Sequence, residues 1–142
     1  MLIPFDRRHV GEMTPTQDGA AGLSTPNAIE KLERLAAFGA CETIATDDGR
    51  KILGIVAAVP ITEETCEVLI MSSVEQKSHP VVFTKAVRAA LVKIRPHFVN
   101  IRAIGENTPF YTRWFSWLGF KRAGLIERHG LKGKRMMWEM AY

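Results

Sequence analysis

Cysteine is scarce in this chain. Only Cys41 and Cys66 occur among 142 residues, too few for a disulfide framework and in keeping with a reducing compartment. No Cys/His cluster has zinc spacing, so no metal centre is expected. Long apolar runs are also missing. The longest, Ile52 to Ile61, spans ten residues and includes Gly54 and Pro60. A membrane-spanning helix needs roughly 20, so no membrane partner is expected. The opening MLIPFDRRHV lacks an apolar stretch behind a basic start, which argues against a secretory signal. Repeats and low-complexity tracts are absent. The chain is 46% apolar and 24% charged, a composition that builds a packed core and excludes wholesale disorder. Its length suits one domain, residues 1–142.

Acidic residues are few in one half. Residues 71–142 carry thirteen basic and four acidic side chains, whereas residues 1–70 carry six basic and eleven acidic, within a net charge of +4. A chain polarised in this way attracts an anionic ligand, a nucleic acid or an acidic partner to its second half. Charge alone does not choose among them.

The periodicity predicts an order β-α-βββ-α-β-α-ββ. Leu2 to Phe5 reads as a short strand, a further short helix fits near Arg7 to Met13, and Gly11 to Pro26 reads as a loop. Ser24 or Thr25 is placed to cap a helix in which Ile29, Leu32, Leu35 and Ala36 form one apolar face and Gly39 the stop. A three-strand meander follows: Cys41 to Thr46, Lys51 to Val59, Thr65 to Val74. Asp47-Asp48-Gly49-Arg50 makes its first turn. The continuous Val/Ile content of the middle strand places it centrally, covered on both faces. In the third, Val68, Ile70 and Ser72 share a face.

After a break at Glu75 to Pro80, with Ser78 as cap, a helix runs to about Arg95 with Phe83, Val87, Ala90 or Leu91, and Ile94 buried. Phe98 to Ile104 alternates as a strand, Pro109 to Leu118 is a helix stopped by Gly119, and strands Phe120 to Arg128 and Arg135 to Met140 close the chain through a turn at Gly130 and Gly133. The two helical crossovers imply parallel neighbours and the meander antiparallel ones. The expected class is α+β, a mixed twisted sheet of about six to seven strands with three to four helices packed on it.

This order, together with Asn107 followed twelve positions later by Gly119-Phe120, resembles the GNAT superfamily of N-acetyltransferases from about Leu2 to Met140. The resemblance implies acetyl-CoA in a gap where one strand splays from its neighbour. A Gly-rich loop would then cradle the pyrophosphate at a helix N-terminus. The corresponding stretch here, Glu75 to Val81, contains no glycine. Pro80 removes a donor and Glu75 adds negative charge, so weakened acetyl-CoA binding is expected. The resemblance assigns cofactor contacts to Val74, Gln76, Lys77, Ser78, His79 and Asn107. Many relatives place a proton-donating Tyr where this chain has Phe115; Tyr111, one helical turn earlier, is the substitute acid. Glu67 is the candidate base, acting through water.

Ser78 to Arg88, with the Trp-rich last helix, narrows the resemblance to GNAT-like proteins of tailed bacteriophages and prophages. Some of these are acetyltransferases and others internal or head–tail virion components. The implied function is a virion or assembly protein with absent or vestigial chemistry, located in the phage particle or host cytoplasm and partnered by other virion proteins. The alternative is an acetyl-CoA-dependent N-acetyltransferase acting on an amine.

Each candidate also has a plainer role. His79 reads more readily as a first-turn polar residue, Glu67 as a solvent-facing carboxylate and Cys66 as an inert buried thiol, and Asn107 reads equally as a turn residue. Phe110, Tyr111, Trp114, Phe115 and Trp117 crowd one short helix, more than one face can bury, which hints at a protein partner. The stripe of Lys85, Arg88 and Arg95, with Lys132, Lys134 and Arg135, lacks stacking aromatics of its own. A nucleic-acid accessory role therefore ranks third, and nucleic acid is not an expected partner.

Overall fold

A computed structural model describes residues 1–127 and 134–141. Seven strands form one sheet in the order β1-β2-β3-β4-β5-β7-β6: β1 (Leu2–Pro4), β2 (Cys41–Ala45), β3 (Ile52–Pro60), β4 (Thr65–Ser72), β5 (Asn100–Gly105), β6 (Lys121–Glu127) and β7 (Lys134–Ala141). Five α-helices join them: α1 (Arg8–Gly11), α2 (Gln17–Leu23), α3 (Ala28–Ala37), α4 (Pro80–Ile94) and α5 (Pro109–Leu118). The mixed α+β class holds. β3 is buried along nearly its whole length, as its apolar sequence requires. The turn through Gly130 and Gly133, with Arg128 and Lys132, lies outside the described residues.

The two sheet faces carry separate cores. On one, Phe83, Ala86, Val87, Ala90 and Leu91 of α4 and Phe115 and Leu118 of α5 pack on Val56, Val68, Ile101 and Trp138. On the other, Leu32 of α3 and Met13 pack on Cys41, Ile55 and Met71.

Several expectations are corrected. Residues 17–23 are not loop but helix α2. Local propensity disfavours it, since Gly19 and Gly22 lie inside; tertiary anchoring supplies the difference. Thr16 Oγ1 accepts from the Gly19 N–H at 3.3 Å, and the Thr16 N–H donates to the Ser72 carbonyl at 2.9 Å. Ser24 and Thr25 do not cap α3. Their hydroxyls donate back to Ala21 and Gly22 carbonyls, closing α2, and Asn27 in the left-handed region starts α3. β4 ends at Ser72, and Val74–Ser78 forms a 3₁₀ turn in place of the predicted break. His79, not Ser78, stands at the N-cap of α4. The crossover through α5 does not leave parallel neighbours. β7 inserts antiparallel between β5 and β6, pairing Ala103 with Trp138 and Arg122 with Trp138 on its two edges.

Gly19 is fixed by close approach. A Cβ built there would sit 2.8 Å from the Ser72 carbonyl oxygen, a backbone atom that cannot rotate away. Gly19→Val should therefore prise α2 from β4. The expected cost is about 1–3 kcal/mol, read as a fall in melting temperature.

Candidate active site

β4 and β5 pair in parallel only through Thr65↔Asn100, Cys66↔Ile101 and Glu67↔Arg102. Both strands continue, β4 to Ser72 and β5 to Gly105, but their ladder stops, so the sheet opens into a wedge. The backbone hydrogen bonds fix what faces it. The Ser73 N–H donates to the Leu53 carbonyl at 2.9 Å. With Gly54 opposite Ser72, odd-numbered residues of β4 then turn their backbone groups to β3 and even-numbered ones to the wedge. Ile70 therefore presents its N–H and C=O to the gap, with no strand to bond them.

The upper end of the wedge is closed by the chain itself. Thr16 N–H takes the Ser72 carbonyl at 2.9 Å, Val74 N–H donates to the Thr14 carbonyl at 2.8 Å, and the Ser73 hydroxyl donates to the same Thr14 carbonyl at 3.2 Å.

The wedge opens into a cavity of about 700 Å³. Its walls are Val68, Ile70 and Ser72 of β4, Ala103 to Glu106 at the end of β5, Phe83 and Thr84 of α4, Tyr111, Trp114 and Phe115 of α5, and Gln17 and Asp18 of α2. The aromatic wall is rigid. Trp114 stacks on Phe83 at 6.0 Å between centroids, and its indole N–H donates to Thr84 Oγ1 at 2.9 Å. Phe115 stacks on Trp138 at 4.2 Å. On the α2 side the Asp18 carboxylate accepts from the buried Arg135 guanidinium at 3.3 Å, tying β7 to α2.

Val74, Gln76, Lys77 and Tyr111 line this cavity; Ser78, His79, Asn107 and Glu67 do not. Asn107 is exposed and accepts from Arg122 at 3.2 Å, while Thr108 caps α5 by accepting from the Tyr111 N–H. Glu67 falls in step with Leu69 and Met71, on the β4 face away from Val68 and Ile70. Glu75 sits 3.6 Å from the Lys51 ammonium, which offsets its charge.

Sequence reasoning missed Asp18, because it lay in a supposed loop, and Glu106. Both raise the pKa of Tyr111, although burial is the larger cause. Tyr111 therefore keeps its phenolic proton past neutral pH.

α4 begins at the cavity rim, where Pro80 lines it. The first helical bond is Phe83 N–H to the His79 carbonyl at 3.0 Å. Val81 and Val82 thus have N–H groups free at the positive end of a fifteen-residue helix. Among the described residues no three of His, Cys, Asp or Glu converge as metal ligands, and no helix is long and apolar enough to cross a membrane.

Cys66 and Cys41 are buried, and burial pushes their thiols up to about 11 and about 12. Neither is a nucleophile at neutral pH. A thiol-reactive disulfide at mild alkaline pH should label them at least about a hundredfold more slowly in the native than in the unfolded protein. The rate should climb as pH rises toward those values.

No family model matches this chain, and no curated protein matches its sequence. Solved structures do match its fold. Ard1 from Thermoplasma volcanium superposes with a TM-score of 0.76 at 12% identity, covering 99% of this chain and 96% of that one. A ribosomal-protein-alanine N-acetyltransferase from Brucella melitensis gives 0.72 at 11%, covering 100% and 99%. A Bacillus subtilis acetyltransferase in complex with CoA gives 0.68 at 14%, covering 100% and 97%. At these identities the likeness establishes the fold, which is that of the GNAT acetyltransferases.

Proposed function

We propose that this protein is an acetyl-CoA-dependent N-acetyltransferase that transfers an acetyl group to an amine. The observation that carries the reading is the wedge between β4 and β5, with unbonded edge groups at Ile70, opening into a cavity of about 700 Å³. An extended amide-bearing arm is recognised at such an edge by strand-like pairing. Acetyl-CoA bound there would supply an activated acetyl thioester.

The chain's own residues fit that group unevenly. Ile70 offers one donor and one acceptor. The free N–H groups of Val81 and Val82, with the Lys77 ammonium, would face the phosphates. Pro80 contributes no donor, and no glycine lets the backbone close in, so affinity is modest. Tyr111 Oη holds a proton beside the wedge, which suits it to protonate a departing sulfur. Phe83, Trp114 and Phe115 exclude water around it.

The competing reading is a phage virion component with vestigial chemistry. It draws on the missing glycines and on Phe110 and Trp117, which are 61% and 54% exposed. The comparisons lend it no support.

Thiol release separates the two. Acetyl-CoA is mixed with the protein and a panel of primary amines, and free thiol is followed with a chromogenic disulfide, to which the buried Cys41 and Cys66 add little background. Amine-dependent release that requires the protein supports transfer. Release no faster than hydrolysis for every amine would reject it.

A further inference from the structure

α4 and α5 lie side by side on one sheet face, and their outer surface carries no acid. Neither Pro80–Ile94 nor Pro109–Leu118 contains Asp or Glu. Lys85 and Arg88, three apart on α4, are exposed on one side of it, and Arg113 and Trp117, four apart on α5, are exposed likewise. The two helices meet there: the Arg88 guanidinium lies 4.8 Å from the Trp117 ring centroid. Phe110, one further turn back on α5, is 61% exposed, and Trp117 is 54% exposed. None of Lys85, Arg88 and Arg113 pairs with a carboxylate among the described residues.

We infer that this face binds single-stranded nucleic acid, with Trp117 and Phe110 as stacking platforms and Lys85, Arg88 and Arg113 on the phosphates. Two features of the surface favour that occupant. Cations without interspersed acids match a uniformly anionic strand, whereas a folded protein partner presents mixed charge. Aromatic rings interleaved with those cations, Phe110 and Trp117 roughly 10 Å apart along α5, offer bases the faces that phosphate contacts alone do not use. A duplex keeps its bases stacked internally and gains nothing from the rings. The patch touches the rim of the wedge cavity at Phe110, which lines it, whereas Lys85, Arg88, Arg113 and Trp117 lie outside that lining; binding there does not depend on acetyl transfer.

The test is fluorescence anisotropy with labelled oligo(dT) and oligo(rU) of about 20 nucleotides, starting at about 50 mM salt. Binding should weaken with salt, and Arg88→Gln with Arg113→Gln should flatten the log–log slope by about 1.4, near 0.7 for each lost phosphate contact. Trp117→Ala should weaken binding about tenfold or more, whereas Trp117→Tyr, which keeps a ring, should stay within about threefold. Thermal melts confirm that each variant folds; the exposed positions make this the expected result. The inference fails if neither oligonucleotide binds. It fails equally if Trp117→Ala binds like the parent, if a duplex of the same length binds as tightly, or if polyglutamate of matched charge competes as well as the oligonucleotide. The last outcome would assign the face to an acidic protein.

Discussion

Trp138→Ala should lower the melting temperature by about 9–15 °C. Trp138 is fully buried on β7, flanked by β5 and β6, with its ring stacked on Phe115 at 4.2 Å. Truncating a buried aromatic costs about 3–5 kcal/mol through lost transfer energy and the cavity left behind. One effect opposes this. Trp138 Nε1 finds no hydrogen-bond partner among the described residues, so removing it relieves a desolvation cost of about 1–3 kcal/mol. The cavity dominates, because a rigid sheet on two sides and α5 above cannot collapse into the space. A net loss near 3 kcal/mol corresponds to roughly 3–5 °C per kcal/mol at this chain length. Trp138→Phe keeps a stacked ring and drops the unpartnered N–H, so it should cost less than about 1.5 kcal/mol. If the alanine variant melts within about 3 °C of the parent, the stacked pair is not holding the wall of the cavity.

Tyr111→Phe should lower amine acetylation about a hundredfold while leaving acetyl-CoA affinity within about twofold. A positioned proton donor contributes about 10²–10⁴ in rate, and the lower figure applies because Tyr111 stands one turn from where the resemblance puts the acid. The pH dependence follows from the direction of its shift. Burial, then Glu106, then Asp18 push the phenol above its ordinary value of 10.0. The acid form is therefore fully present at neutral pH and is lost as pH rises through that raised pKa. Activity of the parent should hold through pH 9 and fall only at more alkaline pH, and the Phe variant should lack that alkaline limb. A hundredfold loss accompanied by an equal loss of affinity would make Tyr111 a wall residue, not an acid.

Most of the fold was legible because local signals agreed with tertiary demands. The Val/Ile run at 52–59 made a central strand, Gly119 stopped α5 at a φ of 102°, and Val68, Ile70 and Ser72 shared the face that now lines the cavity. What the sequence concealed was non-local. α2 exists because Ser72 anchors Thr16 and admits only a glycine at position 19, neither of which leaves a trace in residues 17–23 themselves. β7 entered between β5 and β6 because a hairpin can fold back onto either edge, and periodicity does not say which. The surroundings of the basic stripe are non-local in the same way. The aromatic nearest to Lys85 and Arg88 in sequence, Phe83, is buried, and only the docking of α5 against α4 brings Trp117 against Arg88.

The site was legible in part for the same reason. The resemblance put Val74, Gln76, Lys77 and Tyr111 on elements that do line the cavity. Asn107 was assigned by the same resemblance, and Glu67 was chosen as a carboxylate on the third strand of the meander. A one-residue alternation puts Glu67 on the other face of β4, and Arg122 takes the side chain of Asn107.

The wedge as an acetyl-CoA site is most directly tested by calorimetric titration of acetyl-CoA into the parent and Lys77→Glu. The account predicts saturable one-to-one binding with a dissociation constant between about 10 μM and 1 mM, weakened roughly tenfold in the variant as a charge beside the phosphates reverses. No heat at millimolar acetyl-CoA, or identical binding by parent and variant, would contradict it.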